Sequence, residues 1–457
     1  MHVDRAGSSR GSAARRAGAA WLAVLGFCGG AASAVEPPRV VEVVPDIGDV
    51  GVDPGLREVR VRFDQDMSPG GRSICGGGPG MLPIADRPRW DDARTLVIPV
   101  SLGPSMLYSF SINCPSARNF RGAGGESAVV YQVSFRTRGA DDAGPVPLKE
   151  GEGGAMVEKL RHAILDRYSH MDKLPVDFER RLDEASPGLA ASATPAAFAR
   201  GVRDLLRPSR DGHVWVRVND ITLGVRDEYA AVNYDERRLR GALQEVGEHE
   251  GVTTAKLAGG VGYLAFDDWS RRNGDWLAPA LEFLGSLGPG APLVVDVRAN
   301  GGGDEELARS VAARFVEERM VYAKSLIREP GLESGFDGPF DRVVEPAGRR
   351  HDGPVAILIG PACVSSNESF ILMMRKAGRR ETFGDTTGGS SGNPKAHELG
   401  GGVTLFLPSW RDLTAEGVEI EDRGIEPDHR VVWPGVDPSR DPVLDAALAW
   451  LKERAAR

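Results

Sequence analysis

The hydrophobic pattern changes twice along the chain, and each change predicts a different kind of structure. Residues 36–138 contain short runs in which apolar and polar positions alternate, separated by Gly, Pro and Asp, with no helical period. Several short alternating runs at this spacing predict an all-β sandwich. The predicted strands are Val40–Val44, Val59–Phe63, Thr95–Val100, Tyr108–Ile112 and Val129–Phe135.

A Gly-, Asp- and Pro-rich linker at 139–153 is followed by a small helical segment at 154–208, where apolar residues recur at spacings of three and four. From 209 to 457 strands and helices alternate, and Leu293–Val297 and Val355–Ile359 are uninterrupted apolar runs. Such runs are typical of central strands buried on both faces, so this region is predicted to be an α/β domain. Its other predicted elements are the strands Val214–Val218, Val261–Phe266, Val403–Leu407 and Arg430–Trp433, and the helices Trp276–Leu284, Asp304–Glu317 and Ser366–Lys376, with a last helix from about Pro442.

The first 34 residues predict an export signal. Four Arg precede an apolar run, Ala17 to Cys28, and the small residues Ala32-Ser33-Ala34 suit a signal peptidase. The apolar run is too short for a comfortable membrane span, which makes an uncleaved anchor the less favoured interpretation. We therefore expect an exported protein, periplasmic or extracellular, without an integral membrane segment once the signal is removed.

The net charge limits the expected binding partners, and the cysteine positions allow one disulfide. The 457 residues carry a net charge of −9, which argues against nucleic acid or an anionic membrane surface as the main partner. Cys75 and Cys114 both lie in the predicted sandwich and can pair in an oxidising compartment, which leaves Cys363 over. Neither His-Glu-x-x-His nor Cys-x-x-Cys occurs, so we predict no metal site and no cofactor.

The strongest candidate for a catalytic side chain is Ser365, which lies where a predicted buried strand gives way to a helix. A helix N-terminus supplies free amide N–H groups and positive potential for a developing oxyanion. Ser365 and Glu368 also fit a capping box, Ser-x-x-Glu, which is the commoner use of such a pair. Taken alone, this segment favours the cap and leaves the nucleophile open.

Three other segments contain candidate chemistry, and each has an ordinary structural alternative. A strand runs into three glycines whose amides can face an anion, although a tight strand-to-helix turn needs the same residues. A His stands at a loop-to-strand junction, where a structural role is commoner than a catalytic one. A charged turn, taken alone, indicates a solvated loop. The segments are Asp296-Val-Arg-Ala-Asn300-Gly301-Gly302-Gly303, Asp211-Gly212-His213 and Glu421-Asp-Arg-Gly-Ile-Glu-Pro-Asp428.

Together, and in their order along the chain (211–213, 296–303, 365–368 and 421–428), the four segments resemble the tricorn-core and C-terminal-processing serine peptidases over about residues 154–435. The resemblance implies a ClpP/crotonase-like α/β peptidase domain. The opening of the chain, Pro37-Pro38 and Val59 to Met67, resembles bacterial Ig-like modules, so the expected fold is multidomain, with an Ig-like sandwich in front. The roles implied by the resemblance are Ser365 as nucleophile, His213 as base, Glu421 as a supporting acid, Gly302 and Ser366 as oxyanion-hole amides, and Gly301, Asn300 and Glu368 as further supporting residues.

The chain departs from the family pattern at two positions. Ser390 stands where the processing branch carries its Lys base, so the His base of the tricorn-like branch is the better match. Gly212 stands where the tricorn core carries a Ser beside its His. Only residues 219–258 lie between the first motif and the strand before the glycine loop, where the processing branch carries a PDZ module, and this is too few for one. Cys363, two residues before Ser365, is interpreted as a buried packing residue and not as a nucleophile.

The sequence thus predicts a secreted serine peptidase acting by acyl transfer on a peptide or unfolded-protein substrate, with an oligomer compatible with the sequence. An alternative is a catalytically weak or inactive member of the fold that binds a peptide or a hydrophobic ligand, as retinoid-binding relatives do. A third is a structural Ig-like protein with a degenerate enzyme tail. The feature that discriminates between them is whether Ser365, His213, Glu421 and the glycine loop meet in space.

Overall fold

The computed structural model describes residues 36–114, 117–139, 147–226, 232–272 and 275–455. All elements given below belong to one compact unit, Pro37–Arg457. The predicted export signal at 1–34 and the middle of the predicted linker, 140–146, lie outside the described residues. Within the described ranges, every helix is too short or too polar to cross a membrane.

The first part of the structure is built of strands, and between residues 40 and 136 the described residues form no helix. The strands are β1 (Val40–Val44), β2 (Glu58–Phe63), β3 (Ile74–Cys75), β4 (Arg89–Trp90), β5 (Thr95–Pro99), β6 (Leu107–Ile112) and β7 (Tyr131–Arg136). They form two antiparallel sheets, ordered β1-β2-β5-β4 and β3-β6-β7, whose inward side chains share one core around Phe63 and Phe120. A disulfide joins Cys75 to Cys114, across the paired strands β3 and β6.

Three helices follow: α1 (Glu152–His162), α2 (Phe178–Ala190) and α3 (Pro195–Leu206). Thr194 begins α3, because its hydroxyl accepts a first-turn amide N–H at 3.2 Å and Pro195 pre-sets the first turn. Phe198, Val202 and Leu206 lie on one face of α3 and are fully buried, as their spacing predicts. They contact a core shared with a four-stranded sheet from the rest of the chain.

The rest of the chain is an α/β assembly of three sheets. The four-stranded sheet has β8 (Trp215–Val218), β9 (Ile221–Gly224), β18 (Lys395–Gly400) and β19 (Val403–Leu407), and the three-stranded sheet has β14 (Met320–Arg328), β15 (Phe336–Val344) and β20 (Trp410–Thr414). The seven-stranded sheet has β10 (Gln244–His249), β11 (Val252–Leu257), β12 (Val261–Phe266), β13 (Leu293–Asp296), β16 (Val355–Ile359), β17 (Arg380–Gly384) and β21 (His429–Arg430). The helices are α4 (Glu236–Arg240), α5 (Ala278–Ser286), α6 (Glu305–Ala312), α7 (Ser366–Lys376) and α8 (Pro442–Ala455).

The seven-stranded sheet positions the candidate site. Its order is β10-β11-β12-β13-β16-β17-β21, parallel from β12 onward. Successive residues of β13 and β16 alternate between two hydrophobic cores, one on each face, which explains their uninterrupted apolar sequences. Because β13 and β16 pair in parallel, the glycine loop after β13 and the Ser365 loop after β16 emerge at the same edge of the sheet.

Several predicted elements differ in extent from the structure. The predicted helix Asp304–Glu317 ends at Ala312, because the next apolar residues, Phe315 and Val316, bury in the same core from a turn. The predicted strand Arg430–Trp433 is the two-residue strand β21. Strands β10, β14 and β15 are among those that were not predicted: β10 and β15 expose most of their residues, and the buried positions of β14 do not alternate strictly.

A buried arginine ties the end of β13 to α8. Arg298 is fully buried, and its Nη2 lies 2.7 Å from Asp296 Oδ2 and 2.9 Å from Asp441 Oδ2, just before α8. We expect Arg298→Met to lower the free energy of unfolding by about 3–5 kcal/mol, since both carboxylates would lose their buried counterion. Urea unfolding followed by circular dichroism measures this.

The matched control for this variant is Arg237→Met. Arg237 is almost fully exposed and pairs with its neighbour Asp235 at 3.2 Å. An exposed pair contributes little, so the control should leave the unfolding free energy nearly unchanged. Equal losses in the two variants would contradict a buried structural role for Arg298.

Candidate active site

Ser365 lies on a strained turn between β16 and α7. Its backbone has φ 60° and ψ −136°, which a residue with a side chain rarely adopts, while Ser366 already begins the helix. A sharp strand-to-helix turn of this kind presents a nucleophile at the edge of a sheet, and strain of this kind clusters at active sites. Glu368 Oε2 accepts the N–H of Ser365 at 3.2 Å, so the pair also contains the contact that the capping-box interpretation predicts.

The glycine loop packs directly against Ser365. Gly302 has φ 98°, and a Cβ there would lie 2.7 Å from Ser365 Cβ, so only glycine fits. Ser366 Oγ donates to Gly303 O at 2.8 Å, and Asn367 donates to the carbonyl of Asn300 at 2.9 Å. These bonds fix the loop to the start of α7. Around Gly301, by contrast, a Cβ would meet nothing within 4 Å.

One predicted donor points elsewhere. The N–H of Gly302, which the resemblance implied as an oxyanion-hole amide, donates to Asn300 Oδ1 at 2.9 Å. A buried amide that is already paired is not free for an oxyanion. The next amide along the loop, that of Gly303, has no hydrogen-bond acceptor within the described part of the chain. The amide of Ser366 begins α7 and, like other first-turn amides, has no helical acceptor.

His213 lies two residues before β8, in the turn that leads into this strand of the four-stranded sheet. Asp211 Oδ1 accepts its backbone N–H at 2.8 Å, and Tyr168 donates to the other Asp211 oxygen at 2.8 Å. The imidazole is 8% exposed, and its Nδ1 lies 2.8 Å from the hydroxyl of Ser390. Burial lowers the pKa of His213, and the charge of Asp211 opposes this.

Glu421 contributes to the site indirectly, through Lys173 and the backbone of Ser391. It forms a buried ion pair with Lys173, and its Oε2 accepts the N–H of Ser391 at 2.8 Å. Burial and then the charge of Asp211 raise the pKa of Glu421 to about 7, while Lys173 opposes this. Within the described residues, no hydrogen bond joins Glu421 to His213.

Two buried carboxylates hold the segment 389–391. Glu368 accepts the N–H of Gly389 at 2.9 Å and that of Ser390 at 3.1 Å, and Glu421 accepts the N–H of Ser391. Thr387 also donates to Glu368. Burial raises the pKa of Glu368 to about 8, and these donors oppose this because they stabilise the carboxylate. Both predicted supporting acids therefore position the loop that carries Ser390.

Ser365 and His213 both contact Ser390. Its carbonyl accepts the N–H of Ser365 at 2.7 Å, and its hydroxyl contacts His213. Within the described ranges no hydrogen bond joins the hydroxyl of Ser365 to His213. The structure therefore connects Ser365 and His213 through Ser390 and not by a direct hydrogen bond.

Beside Ser365 opens a cleft of about 600 Å³. The start of α6 forms one wall, and the buried Arg342 and the indole of Trp410 form another. Arg342 is paired with Glu305 and Asp412, so its charge is neutralised inside the protein. A cleft of this volume lies within the size range of ligand-binding sites.

Cys363 is buried away from this cleft. Its Sγ donates to Val297 O at 3.1 Å, and burial raises the pKa of the thiol. A thiol held in its neutral form is a poor nucleophile. The packing role predicted for Cys363 fits this environment.

Two contributors to the site were missed from the sequence. Lys173, in a short turn between α1 and α2, is the buried partner of Glu421. Ser390 was identified only as a departure from a Lys, and its contact with His213 joins residues 177 positions apart. The substitution at 390 was a usable signal, whereas nothing in the sequence indicated Lys173.

Comparisons with known proteins identify the domain that carries this site. Residues 260–431 match the profile of peptidase family S41, so the chain contains a family S41 domain. A segment is 27% identical over 167 residues to the carboxy-terminal processing protease CtpB of Bacillus subtilis (strain 168), covering 36% of this chain and 33% of the relative. Another is 27% identical over 143 residues to a CtpA-like serine protease of Staphylococcus haemolyticus (strain JCSC1435), covering 31% of this chain and 27% of the relative.

The chain thus spans about a third or less of these relatives' lengths. Among solved structures, a candidate peptidase from Parabacteroides merdae ATCC 43184 superposes with a TM-score of 0.56 at 22% identity, covering 66% of this chain and 97% of that one. This similarity establishes the fold. The sequence-based assignment to this peptidase family is confirmed.

Proposed function

We propose that the protein is an exported serine peptidase that hydrolyses peptide bonds in extended or unfolded polypeptides. The observation that carries the proposal is the strained turn that presents Ser365 between a glycine loop and the start of α7, beside an open cleft. This arrangement suits a nucleophile whose reaction produces an oxyanion next to backbone amides.

In the proposed mechanism, Ser365 Oγ attacks the carbonyl carbon of the scissile bond and gives its proton to His213 Nε2. The amides of Ser366 and Gly303 would donate to the oxyanion, and each such donor commonly contributes about 3–4 kcal/mol. The imidazolium then protonates the leaving amine. Water, deprotonated by the same imidazole, attacks the acyl-enzyme and releases the second product.

His213 is suited to this exchange because burial keeps its pKa low, so that the imidazole is neutral at pH 7. Glu421 and Glu368 act through the loop 389–391 and do not contact the reacting atoms. We therefore assign them as positioning residues. Lys173 contacts Glu421, backbone N–H groups donate to Glu368, and burial raises the pKa of both acids, so neither presents an uncompensated charge beside the scissile bond.

Digestion of reduced, unfolded casein tests the proposal. We expect the purified protein to release internal peptides, detected by mass spectrometry as new N-termini, and Ser365→Ala to release none. Ser286→Ala, which removes an exposed hydroxyl on α5, is the matched control and should digest casein like the wild type. Equal peptide yields from the wild type and Ser365→Ala would sink the proposal and favour a ligand-binding role for the fold.

A further inference from the structure

The hydrogen bond between His213 and Ser390 constrains the tautomer of the imidazole. Nδ1 is the ring nitrogen that contacts the Ser390 hydroxyl, at 2.8 Å, and Nε2 is the nitrogen that the proposed mechanism assigns to the proton of Ser365. A neutral imidazole has one protonated nitrogen, and the partner of one nitrogen decides the state of the other. Nε2 can accept a proton only if Nδ1 carries a hydrogen and Ser390 Oγ accepts it.

Ser390 is held rigidly enough to do this. It is 4% exposed, and its N–H and those of both its neighbours donate to the carboxylates of Glu368 and Glu421. The carbonyl of Ser390 also accepts the N–H of Ser365. One residue therefore contacts both the proposed nucleophile, through its backbone, and the proposed base, through its side chain.

Gly212 leaves the space that this hydroxyl occupies. A Cβ built on Gly212 would lie 3.1 Å from Ser390 Oγ, which is closer than an ordinary van der Waals contact. The backbone of Gly212 does not have a positive φ, so its conformation does not itself require glycine. A side chain at 212 would therefore require Ser390 Oγ to shift by a few tenths of an ångström.

We propose that Ser390 is the positioning residue for the His213 imidazole. The absence of a side chain at Gly212 provides the space that the Ser390 hydroxyl requires. The catalytic consequence rests on the proposed peptidase function, whereas the tautomer of His213 does not depend on it. The departures from the family at 212 and 390 form one coupled pair in this chain.

The kinetic test is a double-mutant cycle on casein or a fluorogenic peptide. We expect Ser390→Ala to lower kcat about tenfold, with little change in KM, because one net hydrogen bond to the base is lost. The acid limb of its pH profile should move to lower pH, since Ser390 Oγ stabilises the imidazolium. Gly212→Ala should lower kcat when Ser390 is present and change it little in the Ser390→Ala background.

A second substitution that restores a hydroxyl near His213 tests the coupling most directly by kinetics. Gly212→Ser combined with Ser390→Ala places a hydroxyl close to the one removed, and it should recover part of the lost kcat. The matched control, Gly212→Ala with Ser390→Ala, should not recover it. Independent, additive effects at 212 and 390 together with no rescue would overturn the coupling.

Nitrogen NMR of the full chain labelled with ¹⁵N-histidine tests the tautomer without any substrate. The His213 signals are identified by their absence in His213→Gln. We expect a protonated Nδ1 in the wild type and a shift toward protonated Nε2 in Ser390→Ala. An unchanged tautomer in Ser390→Ala would overturn the assignment, whereas a changed tautomer in a protein that cleaves nothing would uphold Ser390 and reject the peptidase function.

Discussion

Ser365→Ala is expected to lower kcat/KM for peptide hydrolysis by about 10⁴–10⁶-fold, the range seen when the nucleophile of a serine peptidase is removed. The substitution deletes one oxygen from a half-buried side chain and leaves the turn and the start of α7 in place. KM should change little, because the cleft walls are untouched. Initial rates over a range of peptide concentrations measure both constants.

Ser366→Ala separates this effect from general damage to the turn. The Ser366 hydroxyl donates to Gly303 O, so its loss loosens the glycine loop but leaves the proposed nucleophile. We expect about a tenfold loss of kcat/KM, equivalent to one hydrogen bond. Ser365→Ala retaining activity at the level of Ser366→Ala would mean that another residue attacks the substrate.

His213→Ala is expected to lower kcat by about 10⁴-fold or more, because a Ser hydroxyl is a weak nucleophile without a base. The activity of the wild type should depend on pH in a defined direction. The neutral imidazole is the active form, and burial places its pKa below 6.5. Activity should therefore be complete at neutral pH and fall as the pH drops through that lowered pKa, and the limb should be absent from the residual activity of His213→Ala.

His249→Ala is the matched control for this substitution. His249 lies on β10 with its side chain exposed. Its removal should leave both kcat and the pH profile unchanged. An acid limb that persists unaltered in His213→Ala would assign the titrating base to another group, and Glu421 would be the first candidate because its pKa is raised to about 7.

The parts of the fold that the sequence predicted are those governed by local periodicity. The apolar runs of β13 and β16 and the helical period of α3 each reflect burial of a continuous surface, which the side chains themselves record. The strands β14 and β15 were not predicted, since β15 exposes five successive residues and is held by pairing with β14. Backbone pairing that does not bury one face of a strand leaves no periodic trace in the sequence.

In the candidate site, too, locally encoded features were predictable and contacts between distant residues were not. Ser365 and the glycine loop were predictable because a strand-to-helix turn is encoded within a few residues. The contact of His213 with Ser390, the ion pair of Lys173 with Glu421 and the pairing of the Gly302 amide with Asn300 were not, because each depends on the three-dimensional packing of the loops. Gly302 is required for its shape and close approach to Ser365, whereas the donor role assigned to its amide is not supported.

The account depends on Ser365 being the one hydroxyl that attacks. Within the described residues, Ser390 is the serine whose hydroxyl contacts the imidazole, yet it is buried and lies outside the residues that line the cleft. A reagent that acylates or phosphonylates the attacking oxygen distinguishes the two.

Labelling with a fluorophosphonate, followed by digestion and mass spectrometric mapping of the modified residue, is the most direct measurement. We predict a single adduct on Ser365 in the wild type, none in Ser365→Ala, and strongly slowed labelling in His213→Ala. An adduct on Ser390, or equal labelling of the wild type and Ser365→Ala, would contradict the account.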